Sequence, residues 1–149
     1  MASMIFKRGN RLFAAGSIGL IITSILHTIG HFAPPPVNDP ALAAVDGAMR
    51  AFRFDLGFGM HPSIMDVFES LSLTMSITVL FLGIYNLTTL SLAGNNPRLV
   101  RRLTLLNVLG VGALVALYAF YRIPPPLICF AIVEILFLLA LILPRRQEE

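Results

Sequence analysis

Residues 12–32 read LFAAGSIGLIITSILHTIGHF, an apolar stretch without a single Asp, Glu, Lys or Arg. Crossing about 30 Å of hydrocarbon takes roughly 20 such residues. The stretch is too long for the apolar core of a secretory signal, and no small-x-small cleavage site follows it. Three consecutive prolines, Pro34, Pro35 and Pro36, end it instead. A lone strand would leave its backbone groups unpaired in lipid, so the stretch is read as a spanning helix.

Three more stretches have the same character. Residues 63–92 carry their acidic groups, Asp66 and Glu69, at the front. Residues 103–121 are uncharged, and residues 125–143 are interrupted once, by Glu134. Pro124, Pro125 and Pro126 open the last of these, where missing N–H groups cost little. The links at residues 93–97 and 122–124 are short, which forces neighbouring spans to run antiparallel. The predicted fold is all-α: one integral membrane domain over residues 1–149, an up-down bundle of four transmembrane helices.

The whole composition agrees. The chain has 149 residues, 56% hydrophobic and 13% charged. Soluble domains average about a quarter charged. This excludes a water-soluble globule, a disordered chain and a nucleic-acid-binding domain. The single cysteine, Cys129, excludes a disulfide scaffold and an intramolecular dithiol redox centre.

Lys and Arg set the expected orientation. Lys7, Arg8, Arg11, Arg98, Arg101, Arg102, Arg145 and Arg146 fall on one side; Arg50, Arg53 and Arg122 fall on the other. Both termini are therefore expected in the cytoplasm, with the loop of residues 33–62 facing outward. Within it, Asp39-Pro40 is a helix start, a cap followed by proline in the first turn. Leu42, Val45, Met49 and Phe52 recur at helical spacing, with Asp46, Arg50 and Arg53 on the other side. Asp46 and Arg50 are placed to pair. Residues 40–54 are predicted to form a short amphipathic helix on the outer membrane surface. Gly57 and Gly59 are expected to loosen the chain beyond it.

Ionisable groups inside a membrane are expensive, which makes each a candidate site residue. His27 and His31 stand one turn apart near the outer end of the first span. Asp66 and Glu69 share a face near the outer end of the second, and His61 sits just above. Arg50, Arg53 and Asp55 approach from the loop, and Glu134 stands near the midplane of the fourth span. Two His at i and i+4, with a carboxylate from a neighbouring helix, match the needs of zinc or non-haem iron, so His27, His31 and Glu69 are a candidate metal set. The alternative is that both rings bond to Asp66, Glu69 or a backbone carbonyl. Two His one turn apart on one helix cannot take opposite axial positions on one haem, which argues against that cofactor.

The sequence Ser63-Ile64-Met65-Asp66 is a capping box, which alone accounts for Asp66. Glu69 is beyond the cap's reach and is expected to pair with Arg50, Arg53 or His27. Glu134 is expected either in a water-filled pocket, as a proton carrier or general acid, or bonded across the bundle to Asn107, Tyr118 or a serine of the second span. Gly16, Gly19, Gly83, Gly110 and Gly112 read as close-packing positions.

His27-Thr28-Ile29-Gly30, Met49-Arg50-Ala51-Phe52, Phe54-Asp55-Leu56-Gly57, residues 63–68 and Leu71-Ser72-Leu73 together resemble a family of small four-span bacterial membrane proteins with no assigned activity. Met65 and Ser70 stand where an aromatic residue and a glycine are expected. The resemblance covers roughly residues 20 to 90. It implies the topology, a bacterial cytoplasmic (inner) membrane and a shared outer-face polar cluster. In size and topology alone the chain is also similar to the emopamil-binding and sterol-isomerase fold.

Three readings follow. The first is a pocket between spans one, two and four, lined by Glu69 and Glu134, that binds or converts a small hydrophobic or lipid-like molecule. His27, His31, Arg50, Arg53, Asp66, Glu69 and Glu134 are its candidate ligand-binding residues. The second is a non-catalytic accessory subunit that docks on other subunits of a membrane complex. The third is the metal site.

Overall fold

A computed structural model describes residues 8–33 and 39–143. Lys7, Arg145, Arg146 and the first triple proline lie outside the described residues. Five helices follow in order: α1 (Arg8–Phe32), α2 (Pro40–Ala51), α3 (Ile64–Ala93), α4 (Pro97–Phe120) and α5 (Pro124–Ile142). All but α2 are long and apolar enough to cross a membrane. The chain is a four-span helical membrane bundle with a short amphipathic helix between the first two spans.

The helix starts follow from local chemistry. Asp39 accepts from the Ala41 N–H at 2.9 Å and caps α2. At α3, Ser63 Oγ accepts from the Asp66 N–H at 3.0 Å, and Asp66 accepts from the Ser63 N–H at 2.7 Å. That is the reciprocal capping box the sequence predicted. Asn96 caps α4 through the Leu99 N–H, with Pro97 in its first turn. No side chain caps α5, and its opening prolines remove the donors a cap would satisfy. The preceding turn closes with Arg122 N–H to Ala119 O and Ile123 N–H to Tyr118 O, with Arg122 at φ 55°. This is a Schellman turn with arginine in the position glycine usually takes.

The packing has α1 at its centre. Helix α1 lies against α3 on one side and α5 on the other, and α4 packs on α5. The core is built from Phe13 and Leu20 of α1, Val79 and Leu90 of α3, Val100 and Val111 of α4, and Phe130, Val133, Phe137 and Ala140 of α5. The Phe13 and Phe137 rings meet at 5.6 Å. A Cβ on Gly16 would lie 2.9 Å from the Phe137 ring, and one on Gly19 would lie 2.9 Å from Val133. These glycines therefore serve close packing, as expected.

Helices α3 and α4 are joined by a tight turn but have few close approaches. Two side-chain bridges span the gap. Asn86 and Asn107, both buried, exchange amide hydrogen bonds of 2.8 and 3.2 Å. Nearer α2, Tyr118 O–H donates to Met75 Sδ at 2.9 Å. Between the helices lies a groove of about 410 Å³, floored by Leu20. Replacing Asn86 by Leu leaves the Asn107 amide with one partner fewer in an apolar setting. The cycle of Asn86→Leu, Asn107→Leu and the double variant should give a coupling of about 0.5–2 kcal/mol, the range of polar contacts between membrane helices. Unfolding in mixed micelles measures it; additive single effects would contradict the bridge.

The amphipathic segment is shorter than predicted. It ends at Ala51, and Phe52 is already extended. From there the chain turns back on the entry to α3: Ile64 N–H donates to Phe52 O, and Phe54 N–H to Pro62 O. Arg53 and Ser63 form an antiparallel bridge. Pairing with a fixed neighbour outweighs continued helix here. Gly57 and Gly59 supply the positive φ of a tight turn. With Phe58 they form the hairpin tip, at φ 77°, 52° and 75°, closed by Met60 N–H to Gly57 O. Phe58 is 100% exposed at that tip.

Candidate functional site

The polar residues of the α2 end separate into two groups. The first lies outside the bundle. Arg50 donates to Asp46 at 3.0 Å and to Glu69 at 3.4 Å, tying α2 to the second turn of α3. The hydrogen bond to Asp46 is the main cause that raises the Arg50 pKa, with Glu69 adding to it. Arg53 donates to His61 O at 2.8 Å and closes the hairpin. Asp66 is occupied by the cap. His61 Nδ1 stands 4.0 Å from Asp55. Arg50, Arg53, Asp66 and Glu69 therefore hold the connecting segment against α3.

The second group faces inward. His27 Nε2 lies 2.9 Å from Ser72 Oγ, and His31 Nδ1 lies 3.1 Å from the same oxygen. The expected partners, Asp66, Glu69 or backbone, are thus replaced by one hydroxyl on α3. The α1–α3 contact is held one turn deeper by Ser24 O–H to Ser76 O at 2.7 Å. Further along, a Cβ on Gly83 would lie 2.8 Å from Ser17 O. The two backbones are close enough there to fix the distance that brings the histidines to Ser72.

His27, Ser72 and His31 line a cavity of about 400 Å³. This is within the range of small-molecule pockets. Its walls come from α1, α3 and α5, the three spans in which a pocket was expected. The rest of the lining is mostly apolar, including Leu26, Phe68, Met75, Pro125 and Pro126, with Cys129 on the α5 wall. Glu69 and Glu134, expected as lining residues, are not part of it. Glu69 is drawn outward by Arg50. Glu134 faces α4, where its carboxylate is 3.4 Å from the place a Gly112 Cβ would occupy. Two of its expected partners are otherwise engaged, Asn107 by Asn86 and Tyr118 by Met75, and no hydrogen bond to a serine of α3 is formed. Glu134 Oε2 and Ser76 Oγ are buried without a hydrogen-bond partner among the described residues.

The three-residue metal set is not assembled. Both histidines point at Ser72, and Glu69 points at Arg50. Among the described residues no group of three His, Cys, Asp or Glu is placed to hold a metal ion.

Sequence reasoning missed Ser72 as a site residue. A signal was present. Ser76, Val79, Gly83, Asn86 and Leu90 form the buried stripe of α3, and Ser72 continues it one turn toward the helix start. No family model, curated protein or solved structure matches the chain.

Proposed function

We propose that this chain is an integral protein of a bacterial cytoplasmic membrane that binds a small hydrophobic or lipid-like molecule in the pocket between α1, α3 and α5. One observation carries the reading: a mostly apolar cavity of about 400 Å³ in which two imidazoles meet at one hydroxyl. The apolar walls suit a hydrocarbon body. The His27–Ser72–His31 group supplies the only histidines of the lining and suits a polar end. A position toward the outer leaflet follows from the distribution of Lys and Arg, with both termini cytoplasmic. Helix α2 and its hairpin then lie at the outer interface, where Leu42, Val45, Leu56 and Phe58 are exposed.

A second reading is an accessory subunit of a membrane complex. The fully exposed Phe58, on a closed rather than loose tip, favours it as a docking point.

Native mass spectrometry of mildly extracted protein separates the two. A defined small-molecule adduct, lost in His27→Ala, is the expected result. A chain carrying only a stoichiometric protein partner supports the second reading and overturns the first.

A further inference from the structure

Ser72 has one hydroxyl proton and two lone pairs. Two ring nitrogens share it, His27 Nε2 at 2.9 Å and His31 Nδ1 at 3.1 Å. Ser70 and Ser91 of α3 give their proton to a backbone carbonyl; Ser72 is instead within hydrogen-bond distance of two ring nitrogens. Its proton therefore goes to one imidazole, and the other imidazole must donate to its oxygen.

The remaining protons are then fixed. If Ser72 donates to His27 Nε2, the His27 proton is on Nδ1, and His31 must carry its own on Nδ1 to donate back. If Ser72 donates to His31 Nδ1, both protons move to Nε2. The two neutral histidines thus share one tautomer in either arrangement. The nitrogens turned away from Ser72, His27 Nδ1 and His31 Nε2, are then always one donor and one acceptor. Their roles exchange only when the Ser72 hydroxyl turns and both rings shift their proton to the other nitrogen together.

We propose that the pocket selects an amphiphile whose uncharged head both donates and accepts a hydrogen bond, an alcohol in the simplest case, through the outward nitrogens of His27 and His31. This rests on the pocket being a ligand site, as argued above. A quaternary ammonium head gains nothing from the pair, and no carboxylate lines the cavity to hold it. An ether accepts but cannot donate, so it satisfies one nitrogen and leaves the other desolvated. Leu26, Phe68 and Met75 take the chain whatever the head.

The test titrates nanodisc-held protein with dodecan-1-ol, its methyl ether and dodecyltrimethylammonium at about pH 8, above the ordinary imidazole range. Native mass spectrometry reads occupancy. The alcohol is expected to bind about 5-fold more tightly than the ether, the worth of one hydrogen bond. That preference should vanish in Ser72→Ala and persist in Ser72→Thr, which keeps a hydroxyl. Nitrogen-15 spectra of the histidine side chains should show His27 and His31 in one shared tautomer. Equal binding of all three probes, a preference that survives in Ser72→Ala, or one Nδ1–H and one Nε2–H tautomer would overturn the head-group inference while leaving the pocket standing. Binding of none of the three would overturn the pocket reading beneath it.

Discussion

Phe137→Ala should be among the most damaging single truncations of this bundle. Phe137 is fully buried and fills the space above Gly16, with its ring against Phe13. In water the loss would combine a transfer term with a cavity term. Lipid tails are as apolar as the side chain, so between spanning helices the transfer term largely drops out. The cavity term remains: a void on the order of 100 Å³ at about 24 cal/mol per Å³ gives about 2–3 kcal/mol. Denaturation in mixed micelles should show this loss. A change below about 0.5 kcal/mol would mean the α1–α5 seam is not packed as described.

Gly83→Ala should have the second large effect, and it bears directly on the site. The added Cβ would stand 2.7 Å from Ile21 Cγ1 and 2.8 Å from Ser17 O. Ile21 is β-branched and held to one rotamer within a helix, and the Ser17 carbonyl and the Ile21 N, 3.3 Å away, are helix backbone, so neither side yields alone. Helices α1 and α3 must separate, at a cost of about 1–3 kcal/mol. The histidines and Ser72 sit at the same seam, so the substitution should also weaken their contact. Gly110→Ala is the matched control. Gly110 is exposed and not the close-packing position expected of it: nothing lies within 4 Å of its would-be Cβ, so helix propensity alone favours alanine there by up to about 1 kcal/mol. Opposite signs for the two variants are expected. A tolerated Gly83→Ala would mean that α1 and α3 are not in backbone contact.

What could be read from the sequence was whatever is local or set by the solvent. The four spans follow from runs of about 20 apolar residues, because the bilayer dictates helix length. The cap at Ser63 and Asp66 and the Asp46–Arg50 pair depend on residues three or four apart. The close-packing role of Gly16 and Gly83 followed from residue size. The end of α2 was misread because its apolar spacing continues through Phe52, while the chain there pairs with residues about ten positions later.

The site was half legible. His27 and His31 stand out because ionisable groups are rare in spans. Their partner did not, since Ser72 lies 45 and 41 positions away and a serine in a span looks like any small residue. Glu69 looked like a site member for the same reason as the histidines. An arginine on a separate helix draws it outward, and that competition appears only once α2 is placed beside α3. The Asn86–Asn107 bridge was likewise hidden, because two amides on different helices show no pattern until the helices are docked.

The central claim, that the cavity between α1, α3 and α5 is a ligand site, can be tested with the protein's own reporter. Cys129 is the only cysteine in the chain and lines that cavity beside His27 and His31. The decisive measurement is its alkylation rate with monobromobimane in nanodiscs, with and without a saturating alcohol-headed amphiphile. An occupied pocket should slow the reaction at least several-fold, and His27→Ala should abolish the protection. A rate indifferent to amphiphile, in a protein whose Cys129 alkylates readily, would contradict the assignment of the cavity as a binding site.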